Sequence, residues 1–199
     1  KQQEHKSSGK FNVSAIGKCR RELYLQMKGL LKYEEFSEET KRIFDVGNLY
    51  HRRIVEELIT KSNQGVSVVG CEVKLPVHKY ISGRIDLIVS DGEKMHIVDV
   101  KSAGKWVLDK AKRGEVSEAY INQVLLYEHL TNIKSGFLLF VGKDKGEICE
   151  VEVKYDEEKA TMLVKEIEDF MANYVEKNIE PAKCDGGDFG CKTCGVKKK

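Results

Sequence analysis

Apolar positions recur along this chain at two spacings, and the alternation between them sets out a series of elements. Ser14–Met27 has helical character around Ile16, Leu23 and Leu25. A stronger helix is expected from about Ile43 to Thr60, with an apolar stripe of Gly47, Tyr50, Ile54 and Leu58 and with His51 and Val55 alongside. Three strand patterns follow: Val66–Val77 (Val68, Val69, Cys71, Val73, Leu75), then Tyr80–Ser90, then Lys94–Ser102. Asp91-Gly92 predicts a two-residue hairpin loop between the last two, because both residue types tolerate positive φ. Glu115–Leu130 reads as a helix through Ile121, Val124, Leu125 and Leu126. Gly136–Val141 and Ile148–Tyr155 read as a strand pair around Lys145-Gly146, and Asp156–Asn178 as a long helix ended near Pro181. Helices interleaved with hairpins predict the α/β class, a mixed central β-sheet flanked by helices. The expected organisation is an N-terminal helical segment over 1–42 carrying Cys19, a core over 43–180, and a cysteine-rich tail over 181–199.

Composition narrows the class without naming a partner. The chain has 199 residues, 41% hydrophobic and 33% charged, with two prolines. Those values exclude a disordered chain, a collagen-like repeat and a disulfide-dense miniprotein. A chain of this length buries roughly 70% of its unfolded surface, enough for a core without staples. Its net charge of +2 means that affinity for nucleic acid has to come from a local patch. No apolar run approaches the ~20 residues of a membrane span. Lys1–Lys10 is polar, is expected to be mobile, and shows neither a signal-peptide core nor a cleavage site, so a cytoplasmic location is expected.

The chemistry concentrates in Gly83-Arg84-Ile85-Asp86 and Ile97-Val98-Asp99-Val100-Lys101. Side chains alternate along a strand, so Asp99 and Lys101 share one face while Val98 and Val100 take the other. A two-residue loop sets Asp86 opposite Ile97 and diagonal to Asp99, with Cα atoms about 7–8 Å apart. Two carboxylates at that distance repel unless a cation lies between them. Mg²⁺ or Mn²⁺ suits such hard oxygens and keeps water for a substrate. A lysine beside it can polarise an attacking water and offset charge on a phosphoryl group. An amphipathic hairpin with a solvated polar face would show the same pattern. Gln123 and Tyr127, spaced i, i+4, share one helical face and alone would read as a surface pair. His51 faces the core and alone would read as a satisfied core histidine.

The six cysteines divide into two kinds. Cys71 and Cys149 sit in strand patterns and are expected to behave as small buried hydrophobes. Cys184, Cys191 and Cys194 crowd a glycine-rich tail with no core to explain them, and Cys19 stands far upstream beside Arg20 and Arg21. A reducing cytoplasm disfavours disulfides, so a metal centre is expected. Spacing leaves zinc and a [4Fe–4S] cluster both open.

The ordered set Gly47-Asn48-Leu49-Tyr50-His51, Gly83-x-x-Asp86, Asp99-x-Lys101 and Gln123-x-x-x-Tyr127 resembles the PD-(D/E)xK nuclease superfamily, in its RecB-like exonuclease branch. The resemblance implies a restriction-endonuclease-like core in which His51, Asp86, Asp99 and the Val100 carbonyl bind a divalent metal. It implies a catalytic role for Lys101, with Gln123 and Tyr127 on a helix that supports the site and contacts DNA. One cysteine before the core and three after it resemble the iron–sulfur nucleases of this branch. The resemblance therefore implies that Cys19, Cys184, Cys191 and Cys194 hold a [4Fe–4S] cluster, with zinc as the alternative. It further implies a stand-alone, CRISPR-associated type of exonuclease, or a viral or mobile-element relative. Such an enzyme acts on single-stranded DNA ends, 5′-to-3′, with CRISPR-adaptation or recombination proteins as partners. A structure-specific or restriction-type endonuclease, or a DNA-end-binding subunit with a weak site, are the rival readings. Lys105, Trp106, Lys110, Lys112 and Arg113 form a basic run with one aromatic, suited to phosphates and a stacked base. A solvated loop with Trp106 tucked into the core is the other reading.

Overall fold

The computed structural model describes residues 9–31, 37–60, 65–185 and 191–195. In chain order, a short strand β1 (Phe11–Asn12) and a 3₁₀ turn (Val13–Ala15) lead to helix α1 (Arg20–Met27) and helix α2 (Glu38–Thr60). Strands β2 (Ser67–Lys74), β3 (Ile81–Ser82), β4 (Arg84–Ser90) and β5 (Met95–Ala103) follow. Helices α3 (Lys105–Lys112) and α4 (Glu118–Thr131) come next, then β6 (Gly136–Gly142), β7 (Ile148–Val153) and α5 (Glu157–Phe170), which runs into a π-helical turn at Met171–Val175. No helix among the described residues is long and apolar enough to cross a membrane.

The chain divides into two units, and the larger comprises residues 35–76 and 83–161. Its five-stranded sheet has the order β2-β4-β5-β6-β7, parallel only between β5 and β6. That is the mixed sheet the pattern predicts. Strand β5 occupies the centre, which explains why Ile97, Val98, Asp99 and Val100 are all buried. The two faces of β5 follow its alternation. Val98 and Val100 pack with Leu87, Val89, Leu139, Val141 and Ile54 of α2. On the other face, Ala103 packs with Leu138, Phe140 and the apolar sides of α3 and α4 (Leu108, Ala111, Val124, Leu125). Gly47 lets α2 approach β5, since a Cβ there would stand 3.4 Å from Ser102 Oγ. The side chains of His51, Leu58 and Asn48 lie outside the described residues.

The hairpin differs from the sequence expectation in its connection. The last pair is Ser90 with Met95, so Asp91–Lys94 span the turn rather than Asp91-Gly92 alone. Asp91 Oδ1 accepts the backbone N–H groups of Glu93 (2.9 Å) and Lys94 (2.7 Å), which closes this longer turn. Those bonds hold the Asp91 carboxyl well below its usual range. His96 ties the turn to the start of β6, with Nε2 3.0 Å from Asp91 Oδ2 and Nδ1 2.7 Å from Ser135 Oγ. The register moves by two residues. Parity is kept as far as the last pair, Leu87 with Val98, one step short of Asp86 and Asp99.

Glu128 of α4 is fully buried, and neither carboxylate oxygen has a hydrogen-bond partner among the described residues. It fits because β6 carries Gly136 there, where a Cβ would stand 3.1 Å from Glu128 Oε1. Burial pushes the Glu128 carboxyl from 4.5 up to about 7, with Lys134 pulling the other way. The folded protein therefore holds this proton more tightly than the unfolded chain. The resulting stability is complete below the unfolded value of 4.5 and is lost as pH rises through about 7. Between about pH 5 and about pH 8.5 the loss should be on the order of 3 kcal/mol at most. Denaturant unfolding of Glu128→Gln should show this part of the pH slope removed; an unchanged slope would contradict the assignment.

The smaller unit comprises residues 1–34, 77–82 and 162–199. Here β1 pairs in parallel with β3, and Phe11 meets Phe170 edge-on at 6.4 Å. Helix α1 buries Leu23 and Tyr24, while Lys28 Nζ donates to the Val175 carbonyl at 2.8 Å. Arg20 pairs with Glu166 at 3.1 Å, and Arg21 with Glu180. These contacts hold α1, and hence Cys19 at its N-cap, against the turns that end the last helix.

Candidate active site

Strand β5 delivers Asp99 and Lys101 to the face covered by α4, and the helix answers with a row of polar side chains. Asp99 is 1% exposed, and its Oδ2 lies 2.7 Å from Lys101 Nζ. Gln123 bridges the pair: its Nε2 donates to Asp99 Oδ1 at 2.8 Å, and its Oε1 accepts from Lys101 Nζ at 3.0 Å. Gln123 Nε2 also reaches the Tyr127 hydroxyl at 3.2 Å, and that hydroxyl donates to the Arg84 carbonyl at 3.0 Å. Lys101 Nζ stands 4.6 Å from the Tyr120 ring centroid. Tyr120, Gln123 and Tyr127 are spaced i, i+3, i+7 and so line one side of α4. Sequence reading singled out the last two and missed Tyr120, although that spacing carries the signal.

Strands β4 and β5 part beside this network. The ladder ends at Leu87–Val98, and the Val100 N–H donates to Asp86 Oδ2 at 2.8 Å instead. Asp86 thereby leaves ordinary pairing to serve as a side-chain acceptor at the edge of the polar face. Burial raises the Tyr127 phenol above its ordinary range, and the Asp99 and Asp86 charges add to the rise. Tyr127 is thus a fixed neutral donor. The Asp86 and Asp99 carboxylates, both near enough for their charges to act on Tyr127, are hard oxygens of the kind suited to Mg²⁺ or Mn²⁺. α2 carries His51, whose side chain is among those not described. Gln123 and Tyr127 are 6% and 1% exposed, so they are not a surface pair.

The basic run forms helix α3 rather than a loop. Leu108 and Ala111 anchor it, and Trp106 is 68% exposed. Lys110 Nζ lies 4.1 Å over the Trp106 ring, whereas Lys112 pairs with Glu147 and Arg113 Nε lies 2.7 Å from Glu115.

In the smaller unit, Cys19, Cys184, Cys191 and Cys194 present Sγ atoms all within 4.8 Å of one another. The Cys19–Cys194 sulfur separation is 3.6 Å, far beyond a disulfide bond. Burial pushes the Cys19 thiol up to about 12, whereas the Cys184 backbone N–H, 3.4 Å from Cys194 Sγ, lowers Cys194. Four convergent soft donors fit a thiophilic metal or cluster, and binding would expel their protons. Cys71 and Cys149 lie in strands but are not buried: Cys71 is exposed and Cys149 half-buried. Both fall on the outer strands, β2 and β7, where only one neighbour covers the backbone.

A profile of the PD-(D/E)XK nuclease superfamily matches residues 22–198. No curated protein sequence matches the chain. Among solved structures, an alkaline exonuclease (LHK-Exo) from Laribacter hongkongensis aligns over 86% of this chain and 90% of its own, with a TM-score of 0.65 and 16% identity. The same enzyme in complex with dAMP aligns with a TM-score of 0.65 over the same shares, at 19% identity. A phage-related exonuclease from Haemophilus somnus 129PT aligns over 85% of this chain and 95% of its own, with a TM-score of 0.60 and 14% identity. These likenesses are of fold.

Proposed function

We propose, for a chain that belongs to the PD-(D/E)XK nuclease superfamily, a metal-dependent deoxyribonuclease that degrades DNA from its ends. The observation that carries this reading is the Asp99–Lys101–Gln123 network on the central strand, with Asp86 alongside. The fold likeness to exonucleases, one of them solved with dAMP, supports ends as the point of attack.

Asp86, Asp99, the Val100 carbonyl and His51 are the residues that would hold Mg²⁺ or Mn²⁺. When bound, the ion supplies Lewis-acid charge stabilisation and activation of water. Gln123 keeps Asp99 and Lys101 at fixed positions on the face. The Lys101 ammonium orients the water and offsets charge on the scissile phosphate, a charge-assisted contact inside a largely dry site. Tyr127 fixes Gln123 by tying it to the Arg84 carbonyl. Tyr127→Phe should therefore slow single-turnover cleavage by about tenfold and cost about 1 kcal/mol of stability. Cleavage at the wild-type rate in this variant would remove Tyr127 from the positioning chain.

The finer reading is a RecB-like, iron–sulfur exonuclease, cytoplasmic, acting 5′-to-3′ on single-stranded ends in CRISPR adaptation or recombination. It rests on the motif order and on one cysteine preceding the core with three following it. Helix α3 supplies the DNA contacts through Lys105, Trp106 and Lys110, while Lys112 and Arg113 are held by Glu147 and Glu115. Zinc is a second reading for the four cysteines, because a tetrahedral ion with Zn–S bonds of about 2.3 Å sets sulfurs roughly 3.8 Å apart. Sulfurs within 4.8 Å suit that arrangement. Brown protein absorbing near ~400 nm supports the cluster; colourless protein with one zinc replaces it. Incubation of linear and covalently closed circular DNA with Mn²⁺ tests the end-directed activity. The linear form should vanish while the circle persists, and cutting of the circle would establish an endonuclease instead.

A further inference from the structure

Trp106 is the protein's one tryptophan, and it is 68% exposed. Its helix is nonetheless firmly docked, with Leu108 and Ala111 buried, so the exposure belongs to a rigid element. A large aromatic surface left in water on a fixed helix calls for a partner with a flat, apolar face. The surrounding charge narrows the choice. Lys110 stands 4.1 Å over the ring, and exposed Lys105 adjoins it. The other basic residues of the run are engaged elsewhere, Lys112 with Glu147 and Arg113 with Glu115. The ring therefore sits within a small cationic patch of Lys105 and Lys110, complementary to a ligand that combines π-faces with anionic links. Unpaired nucleotides have that chemistry, whereas in a duplex the base faces are covered by neighbours. Trp106 also follows Lys101 by five residues, which keeps their Cα atoms within about 18 Å, the length of roughly five stacked nucleotides.

We propose that Trp106, with Lys105 and Lys110, is a base-stacking platform that selects unpaired DNA ends and feeds them to the Asp99–Lys101 site. The proposal rests on the nuclease reading and names the residue that gives it single-strand preference. Lys112 and Arg113 contribute little to binding.

Because Trp106 is the only tryptophan, its fluorescence reports on the platform directly. The experiment titrates the full chain, with Ca²⁺ in place of Mg²⁺, against a fluorescein-labelled single-stranded oligonucleotide, an abasic oligonucleotide of equal length, a blunt duplex and anionic phospholipid vesicles. Anisotropy of the label follows binding and tryptophan emission follows stacking. Strong quenching by the single strand, with little from the abasic strand or duplex, is the expected result. Trp106→Ala should weaken single-strand binding by about tenfold or more, Trp106→Phe should restore most of it, and Lys112→Ala should leave it unchanged. With Mn²⁺, cleavage of single-stranded DNA by Trp106→Ala should weaken through a raised KM, in line with its weaker binding. Binding by anisotropy without quenching, equal quenching by the abasic strand, or quenching by vesicles but not by bound DNA would overturn the platform alone. No binding of any DNA would overturn the nuclease reading with it.

Discussion

Asp99→Asn should reduce DNA hydrolysis by at least about a thousandfold while the protein still folds and binds DNA. The carboxylate is 1% exposed on the central strand, so its place is set by the sheet rather than by its own mobility. Its two oxygens already face Lys101 Nζ at 2.7 Å and Gln123 Nε2 at 2.8 Å, which shows a polar focus built into an otherwise apolar layer. Asparagine keeps the volume and can bond Gln123 after an amide flip, so the sheet has no reason to open. What is lost is the negative charge that would hold a divalent ion. Several kcal/mol of transition-state stabilisation then disappear, at 1.36 kcal/mol per decade of rate. Single-turnover cleavage of end-labelled DNA with Mn²⁺ measures this. A rate within an order of magnitude of wild type would place the catalytic cation elsewhere.

Cys19→Ser should strip the four-cysteine centre and lower the melting temperature by about 10 °C. Cys19 caps α1, and its sulfur lies 3.6 Å from that of buried Cys194. The centre thus joins an N-terminal helix to a C-terminal tail within one unit, and its binding energy adds to folding. A serine hydroxyl is a poor ligand for soft metals. Losing even about 4 kcal/mol corresponds to a shift of this size in a chain of roughly 200 residues. Metal analysis and thermal unfolding should report both effects together. Cys71→Ser and Cys149→Ser should leave both readouts unchanged, because those cysteines lie outside the centre. Full metal content in Cys19→Ser would show that the tail cysteines suffice.

Much of this arrangement was legible in the sequence because it depends on parity and helical spacing, which survive small errors of register. The hairpin turn is longer than Asp91-Gly92 suggests, yet the shift is two residues, so the parity that would set Asp86 and Asp99 on one face is kept up to the last pair, Leu87 with Val98. An error of one residue would have separated them. Gln123 and Tyr127 were placed on one side of a helix by their spacing, although only packing against β5 shows that they are buried. Helix α3 was not legible: Lys105–Lys112 has too few apolar positions to stand out, and Leu108 and Ala111 become a helical face only against the sheet. The burial of Cys71 was misjudged because a strand pattern does not say which strand lies at the edge. Nor does any spacing mark Glu128, whose burial follows from the gap that Gly136 leaves on β6.

The most direct measurement of the central claim is nucleotide release from a linear DNA by the purified protein, first with EDTA and then after Mn²⁺ is added in excess. The account predicts no release with EDTA and rapid release once Mn²⁺ is supplied. Equal release in EDTA, or none with Mn²⁺ although the DNA is bound, would contradict it.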